Sequence, residues 1–159
     1  MLIRPAAFAD VDAMWTLFQS VIAGEDALPF SGGFGVEDFR SHWFTTQTSH
    51  VAVTEAGIVG IYKMGANYPG LGSHVASATY AVDPVAQGHG IGRAMVEHSL
   101  AQARSAGFLA MQFNYVVSTN TPAVVLYRKL GFSIVGTLPK AFRHRDLGLV
   151  DAYVMHRFL

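Results

Sequence analysis

The sequence predicts an α/β (α+β) domain in which a mixed, mostly antiparallel sheet of about seven strands carries helices on both faces. Three observations predict it. Alternating apolar runs and helical stripes follow one another as strand, two helices, three strands, helix, strand, helix, two strands. Three consecutive strands in that order call for antiparallel pairing in part of the sheet. Finally, 159 residues with 51% hydrophobic and 14% charged side chains suffice for one well-filled core. Residues 1–159 read as a single domain without repeat, low-complexity tract or linker.

Leu2-Ile3-Arg4 is a short strand, and Asp10-Val11-Asp12 opens a helix whose stripe is Val11, Met14, Trp15, Phe18 and Ile22. Gly24, Pro29 and Ser31-Gly32-Gly33 make Ala23 to Gly35 a loop, and Val36 to Phe44 is a second helix. His50–Thr54 and Ile58–Tyr62 are strands joined at Glu55-Ala56-Gly57. Asn67 to Gly72 is turn-rich, Val75 to Val82 is a strand, and Asp83-Pro84 ends it. After glycines 88, 90 and 92 a helix runs to about Ser105, with Gly107 as its stop. Ala110 to Val117 is a strand, and Pro122 starts a short helix that ends at Lys129-Leu130-Gly131. Ser133–Leu138 and Val150–Phe158 close the sheet, joined by a basic loop over Lys140–Asp146.

Composition excludes several function classes. Eleven Lys+Arg balance eleven Asp+Glu, unlike the basic footprint of a nucleic-acid binder. The balance is uneven along the chain: residues 1–55 carry net −5 and residues 56–159 net +5, which reads either as chance with solvated surface or as a later part that holds an anionic ligand. Without Cys there is neither a disulfide framework nor a thiolate nucleophile. No window approaches a membrane span or a secretory leader, and a cytoplasmic protein is expected. The seven His residues (42, 50, 74, 89, 98, 144, 156) show no ligand spacing, so no metal is expected.

The chemistry concentrates in Ala81-Val82-Asp83-Pro84-Val85-Ala86-Gln87-Gly88-His89-Gly90-Ile91-Gly92-Arg93, between a strand and a helix. Glycines at alternate positions let the backbone approach a ligand and gather successive N–H groups beside a helix N-terminus, which suits phosphate. The spacing is not that of a dinucleotide fingerprint, and Phe108 to Phe113 lacks the acidic residue that would hold a ribose. A P-loop G-K-[ST] is also missing. The competing explanation is that the glycines serve close helix–strand packing.

Gln87-Gly88-His89-Gly90-Ile91-Gly92 resembles the [Q/R]-x-x-G-x-[G/A] loop of the GNAT acetyltransferase superfamily. Ile3-Arg4-Pro5-Ala6 with Asp10 is similar to the start of that family. Asn120-Thr121-Pro122-Ala123-Val124-Val125-Leu126-Tyr127-Arg128-Lys129-Leu130-Gly131-Phe132 is similar to its second signature, so the resemblance covers nearly the whole chain. It implies a splayed sheet with acetyl-CoA between the fourth and fifth strands. Backbone groups of Tyr80, Ala81 and Val82 would pair with the pantetheine arm, amides from Gly88 through His89, Gly90, Ile91 and Gly92 to Arg93 would hold the pyrophosphate, and Gln87 would belong to the same cofactor site.

Acetyl transfer needs a neutral amine, which at pH 7 costs about 4.6 kcal/mol for an amine with a Lys-like pKa. Many GNAT enzymes carry a Glu on the fourth strand to take that proton, but Val75-Ala76-Ser77-Ala78-Thr79-Tyr80-Ala81 contains none. His74 is the candidate base, against its reading as a surface residue. Asn67-Tyr68-Pro69-Gly70, Ser73-His74, Phe113-Asn114 and Val150-Asp151-Ala152 resemble, more narrowly, the fungal L-azetidine-2-carboxylate acetyltransferases. That likeness implies that Asn67 and Asn114 hold the acceptor and that Asn120 contacts the CoA side. Tyr127 matches a Tyr that in the superfamily often protonates the leaving thiolate, although the narrower family tolerates an aromatic without a phenol there. A Tyr packed for its ring alone is the alternative.

Two assignments stay open. Phe30, Phe34, Phe39, Trp43 and Phe44 either line an acceptor pocket or belong to the core. Arg143, His144 and Arg145 either guide CoA phosphates or an acceptor carboxylate, or form a solvated hairpin tip. The expected function is N-acetyl transfer from acetyl-CoA to a small-molecule amine, an amino or imino acid, with a homodimer admissible. A non-catalytic CoA-binding regulatory module and a protein or peptide N-acetyltransferase are the alternatives.

Overall fold

A computed structural model describes residues 1–45 and 47–159. Its strands are β1 (Leu2–Pro5), β2 (Thr48–Thr54), β3 (Gly57–Ala66), β4 (Val75–Val82), β5 (Ala110–Val117), β6 (Ser133–His144) and β7 (Gly148–Phe158). The α-helices are α1 (Val11–Ile22), α2 (Val36–Phe44), α3 (Ile91–Ser105) and α4 (Thr121–Lys129). They form one seven-stranded sheet in the order β1-β2-β3-β4-β5-β7-β6, antiparallel throughout except for the parallel β4–β5 contact. This is the mixed, mostly antiparallel sheet read from the sequence. Among the described residues, no helix is long and apolar enough to cross a membrane.

Side chains that alternate along β3 divide the core. Val51, Ile61 and Ala81 face α1 and α2, meeting Met14, Phe18, Phe39 and Trp43. Tyr62, Met64 and Ala76 face α3, meeting Met95, Val96 and Leu100. Phe18 is fully buried and lies within 6 Å of Phe30, Phe34, Phe39 and Trp43 in tilted or edge-on arrangements. On α1 the buried stripe includes Leu17, and Trp15 is half-buried at its margin against Phe39. The chain enters α1 through a bidentate Arg4–Asp10 pair (2.7 and 2.8 Å), and Asp10 also accepts from Ala7 N–H at 2.7 Å.

Two features depart from the sequence reading. The basic segment Lys140–Asp146 is mostly strand, because β6 runs through His144 and only residues 145–147 turn. Its period is masked by an irregularity: Leu138 pairs with Ala152 and Phe142 with Val150, so β6 carries two residues more than β7 over that stretch. The second feature bears on function. β4 and β5 pair only at Val75↔Ala110 and Ala76↔Met111, then part. Tyr80 and Phe113 face each other across the gap at 5.7 Å, and Tyr127 fills it from α4, 4.6 Å from Phe113.

Candidate active site

The parting of β4 and β5 opens a cavity of about 700 Å³. Ser77–Val82 line one wall and Phe113–Val117 the other; α4 contributes Ala123, Leu126 and Tyr127, and the segment Ala27–Phe30 also lines it. Past Ala76, the β5-facing backbone groups of β4 have no strand partner. Tyr80, Ala81 and Val82 therefore present to the cavity a backbone that an extended ligand could pair with.

One end of the cavity is the glycine loop. Gly88 and Gly90 have φ of +80° and +79°, and a Cβ at either would meet nothing within 4 Å. Helix–strand packing therefore does not explain them; the left-handed backbone does. Gly90 caps α3, and the ladder opens with Ala94 N–H donating to Gly90 O at 3.0 Å. The amides of Ile91, Gly92 and Arg93 precede that bond and have no carbonyl to reach within the helix. Together with the helix dipole this makes a concave anion site. The His89 ring sits against Gln87 O (2.9 Å) and Ala86 O (3.2 Å), fixing the loop. Arg93 pairs with Glu97 at 2.9 Å along the helix. Gln87, Gly88, Gly90, Ile91, Gly92 and Arg93 all line the cavity; His89 does not.

Asn120 caps α4, its Oδ1 accepting from Ala123 N–H at 3.3 Å, and also lines the cavity. Tyr127 packs its ring between Phe113 and Phe132, and burial pushes its phenol pKa up, so it stays protonated at neutral pH. Burial does the same to Tyr80, whose hydroxyl meets Ser99 Oγ at 2.6 Å.

β5 carries an extra residue relative to β7: Phe113 pairs with Met155 but Val116 with Tyr153, leaving Asn114 and Tyr115 in a bulge beside the cavity. The Asn114 carboxamide exchanges hydrogen bonds with Asn67 (3.2 and 2.6 Å) and accepts from Gln112 Nε2 at 2.8 Å. Asn67 is held by its own N–H, which donates to Val75 O at 2.8 Å. The structure thus brings Asn67 and Asn114 together, with Asn114 lining the cavity and Asn67 standing behind it outside the lining. It leaves His74 exposed and outside the cavity lining.

Of the five aromatics left open by the sequence, Phe39 and Trp43 are core, Phe34 is half-buried against Phe18 and Phe30, Phe44 is exposed, and Phe30 lines the cavity. A residue that sequence reasoning passed over also lines it: His42 of α2, edge-on to Phe30 at 5.0 Å. Burial, helped by the Lys63 charge, lowers its pKa to about 4. Lys63 is itself buried, donates to His42 O at 2.7 Å, and is lowered to about 8 by burial. His42 therefore presents a neutral imidazole to the cavity. The only sequence signal for it is a polar residue on the aromatic helix 36–44, because its neighbour Lys63 lies a strand away.

The acetyltransferase (GNAT) family model matches residues 22–132. N-acetyltransferase aca1 of Schizosaccharomyces pombe is 33% identical over 101 residues, which is 63% of this chain and 48% of that protein. A mycothiol acetyltransferase of Catenulispora acidiphila is 33% identical over 112 residues, 66% of this chain and 35% of that protein. The chain thus spans half or less of the length of these curated relatives. A GCN5-related N-acetyltransferase structure from Kribbella flavida superposes with TM-score 0.94 at 39% identity, covering 99% of this chain and 97% of that one.

Proposed function

Since the chain belongs to the GNAT acetyltransferase family, whose members use acetyl-CoA as co-substrate, we propose that it acetylates the amine of a small molecule, an amino or imino acid. One observation carries the choice of acceptor. The cavity that holds the glycine cradle at one end has Asn114, held by Asn67, on its wall and Ala27–Phe30 among its lining, which supports a compact polar acceptor over a polypeptide. The same pair supports the narrower likeness to azetidine-2-carboxylate acetyltransferases.

In this reading residues 1–159 act as one domain. The amides of Gly88 to Arg93 hold the pyrophosphate, the open backbone of Tyr80–Val82 holds the pantetheine arm, and Asn120 flanks it. Asn67 and Asn114 orient the acceptor. Its nitrogen lone pair attacks the thioester carbonyl carbon, and the C–S bond breaks. That lone pair is freed when the ammonium passes a proton to the neutral imidazole of His42, directly or through water; the second N–H proton leaves to water after attack, and the Tyr127 phenol donates a proton to the departing thiolate. Both groups are in the required protonation state at neutral pH because burial disfavours their charged forms.

The test is CoA release from acetyl-CoA with L-proline, L-azetidine-2-carboxylate, linear amino acids and a short peptide. Turnover of the free amino or imino acids is expected. Tight CoA binding with no release for any acceptor would leave a CoA-binding module instead.

A further inference from the structure

Gln112 sits in the regular part of the β5 ladder, paired with His156, and Asn114 follows two residues on in the bulge, where pairing with β7 has lapsed. Asn114 is exposed, so neither ladder nor packing fixes its carboxamide. Its direction comes from side-chain hydrogen bonds, and these leave one position open. Asn114 Oδ1 has two lone pairs, and both are taken, by Asn67 Nδ2 at 3.2 Å and Gln112 Nε2 at 2.8 Å. One N–H of Asn114 Nδ2 donates to Asn67 Oδ1 at 2.6 Å, and the other has no partner among the described residues.

Asn67 does not settle this arrangement by itself. Turned over together, the two carboxamides would keep both bonds of their clasp, with oxygen and nitrogen exchanged at Asn114. The donor from Gln112 tells the two arrangements apart, because it needs an oxygen opposite it. Gln112 does this from behind: Asn114 lines the cavity, while Asn67 and Gln112 stand outside the lining.

The distinction matters for an amine. A carboxamide oxygen beside the acceptor nitrogen would accept from its ammonium form and favour it, which opposes attack. A carboxamide with a spare N–H and no spare lone pair gives the ammonium nothing and suits an oxygen of the acceptor. We propose that Gln112 is a positioning residue of acetyl transfer: by occupying the second lone pair of Asn114 Oδ1 it makes Asn114 a donor only, so that Asn114 engages an oxygen of the acceptor and not its nitrogen. This rests on the small-amine reading above and adds to it a residue outside the cavity and the polarity of one contact.

Three acceptors test it under saturating acetyl-CoA: L-proline, its methyl ester (which accepts hydrogen bonds without a negative charge) and pyrrolidine (which has no oxygen). In the wild type the first two should exceed pyrrolidine in kcat/KM. Gln112→Met removes the donor at similar length, and Gln112→Glu sets an oxygen against Asn114 Oδ1. Both should lower kcat/KM for proline and its ester about fivefold or more, the loss of one well-made hydrogen bond. Pyrrolidine and the KM for acetyl-CoA should hold. In an Asn114→Ala protein, Gln112→Met should change nothing further, because its effect runs through Asn114. Equal losses on all three amines, an added loss in the Asn114→Ala protein, or a Gln112→Glu protein as active as wild type on proline would overturn the proposal. If the wild type releases no CoA with any amine, the transfer reading fails and the role of Gln112 is decided by calorimetry. L-proline would then be titrated into CoA-bound wild type and Gln112→Met. Weaker binding in the variant upholds the role; equal heats, or none, overturn it.

Discussion

Asn67 and Asn114, which lie 47 residues apart, clasp each other's carboxamides across the end of β4. Each amide uses one N–H and its oxygen in the clasp and keeps its second N–H, while Asn114 Oδ1 also accepts from Gln112. Both side chains are only partly shielded, so the pair contributes little to folding. The clasp fixes the Asn114 carboxamide at the cavity wall.

Asn114→Ala should therefore lower turnover of a proline-like acceptor about tenfold or more, since the remaining Asn67 amide loses its orientation. Acetyl-CoA affinity, read by calorimetry, should hold, and the melting temperature should barely move. Equal losses of turnover and cofactor affinity would make Asn114 a structural residue.

The glycine loop separates backbone from packing. Gly92 has ordinary helical geometry, and a methyl there would sit 3.7 Å from Val82 Cγ2 and 3.9 Å from Leu126 Cδ2, in normal contact. Gly92→Ala should hold or raise stability, by up to about 1 kcal/mol, yet weaken acetyl-CoA binding by placing a methyl in the cradle. Gly90→Val should weaken binding too, with a loss of stability from forcing a β-branched residue to φ +79°. A stable Gly92→Ala protein with unchanged CoA affinity would refute the cradle.

Tyr127→Phe keeps the ring contacts with Phe113 and Phe132 and removes only the hydroxyl. We expect kcat to fall about tenfold or more, within the range of general-acid assistance, while acetyl-CoA affinity stays. A Phe variant with full kcat at every pH would reduce Tyr127 to packing.

His42→Gln should lower kcat/KM for an amino-acid acceptor most strongly at neutral pH, by about tenfold. The defect should shrink as the pH nears the amine's own pKa, where the acceptor arrives deprotonated. A defect independent of pH would assign His42 to shaping the cavity.

Acid stability follows from three histidines. Burial lowers the pKa of His42, His50 and His98, with repulsion from Lys63 adding at His42 and repulsion between the two imidazoles at His50. Below about pH 6.5 the unfolded chain binds protons that the folded one resists, so stability present above that pH drains away toward about pH 4. Asp10, lowered to about 2 by its Arg4 pair, adds a further loss only below its ordinary value near 3.8. His50 lies flat on Tyr62 at 4.6 Å, its Nδ1 buried and without a hydrogen-bond partner among the described residues. His50→Phe should therefore flatten the decline in melting temperature between pH 7 and 4.5.

Most of the fold was legible because its elements announce themselves locally. The α1 stripe, the Asp83-Pro84 stop and the Pro122 start are each written within a few residues. The glycine loop was legible for the same reason, since its φ values are demanded by its own residues. What escaped depends on distant pairing. Two surplus residues in β6 hide its period, and without them Lys140–His144 reads as loop. His42 acquires its neutral state from Lys63 on another strand, and the Asn67–Asn114 clasp could be suggested by likeness but not by spacing. His74 illustrates the converse: its sequence position at the head of β4 is suitable, yet its side chain is exposed outside the cavity lining.

The short β4–β5 contact gives this sheet four edges where a continuous one would have two. An internal edge exposes the same unpaired N–H and C=O row that makes outer edges prone to recruit another strand. Here the row is sheltered in a crevice too narrow for a folded neighbour but open to a slender chain. A pantetheine arm bound there would serve as an eighth, non-peptide strand. Amide hydrogen exchange at residues 77–82 should accordingly be fast in the free protein and slow sharply with CoA, whereas amides of β2 and β3 stay protected throughout.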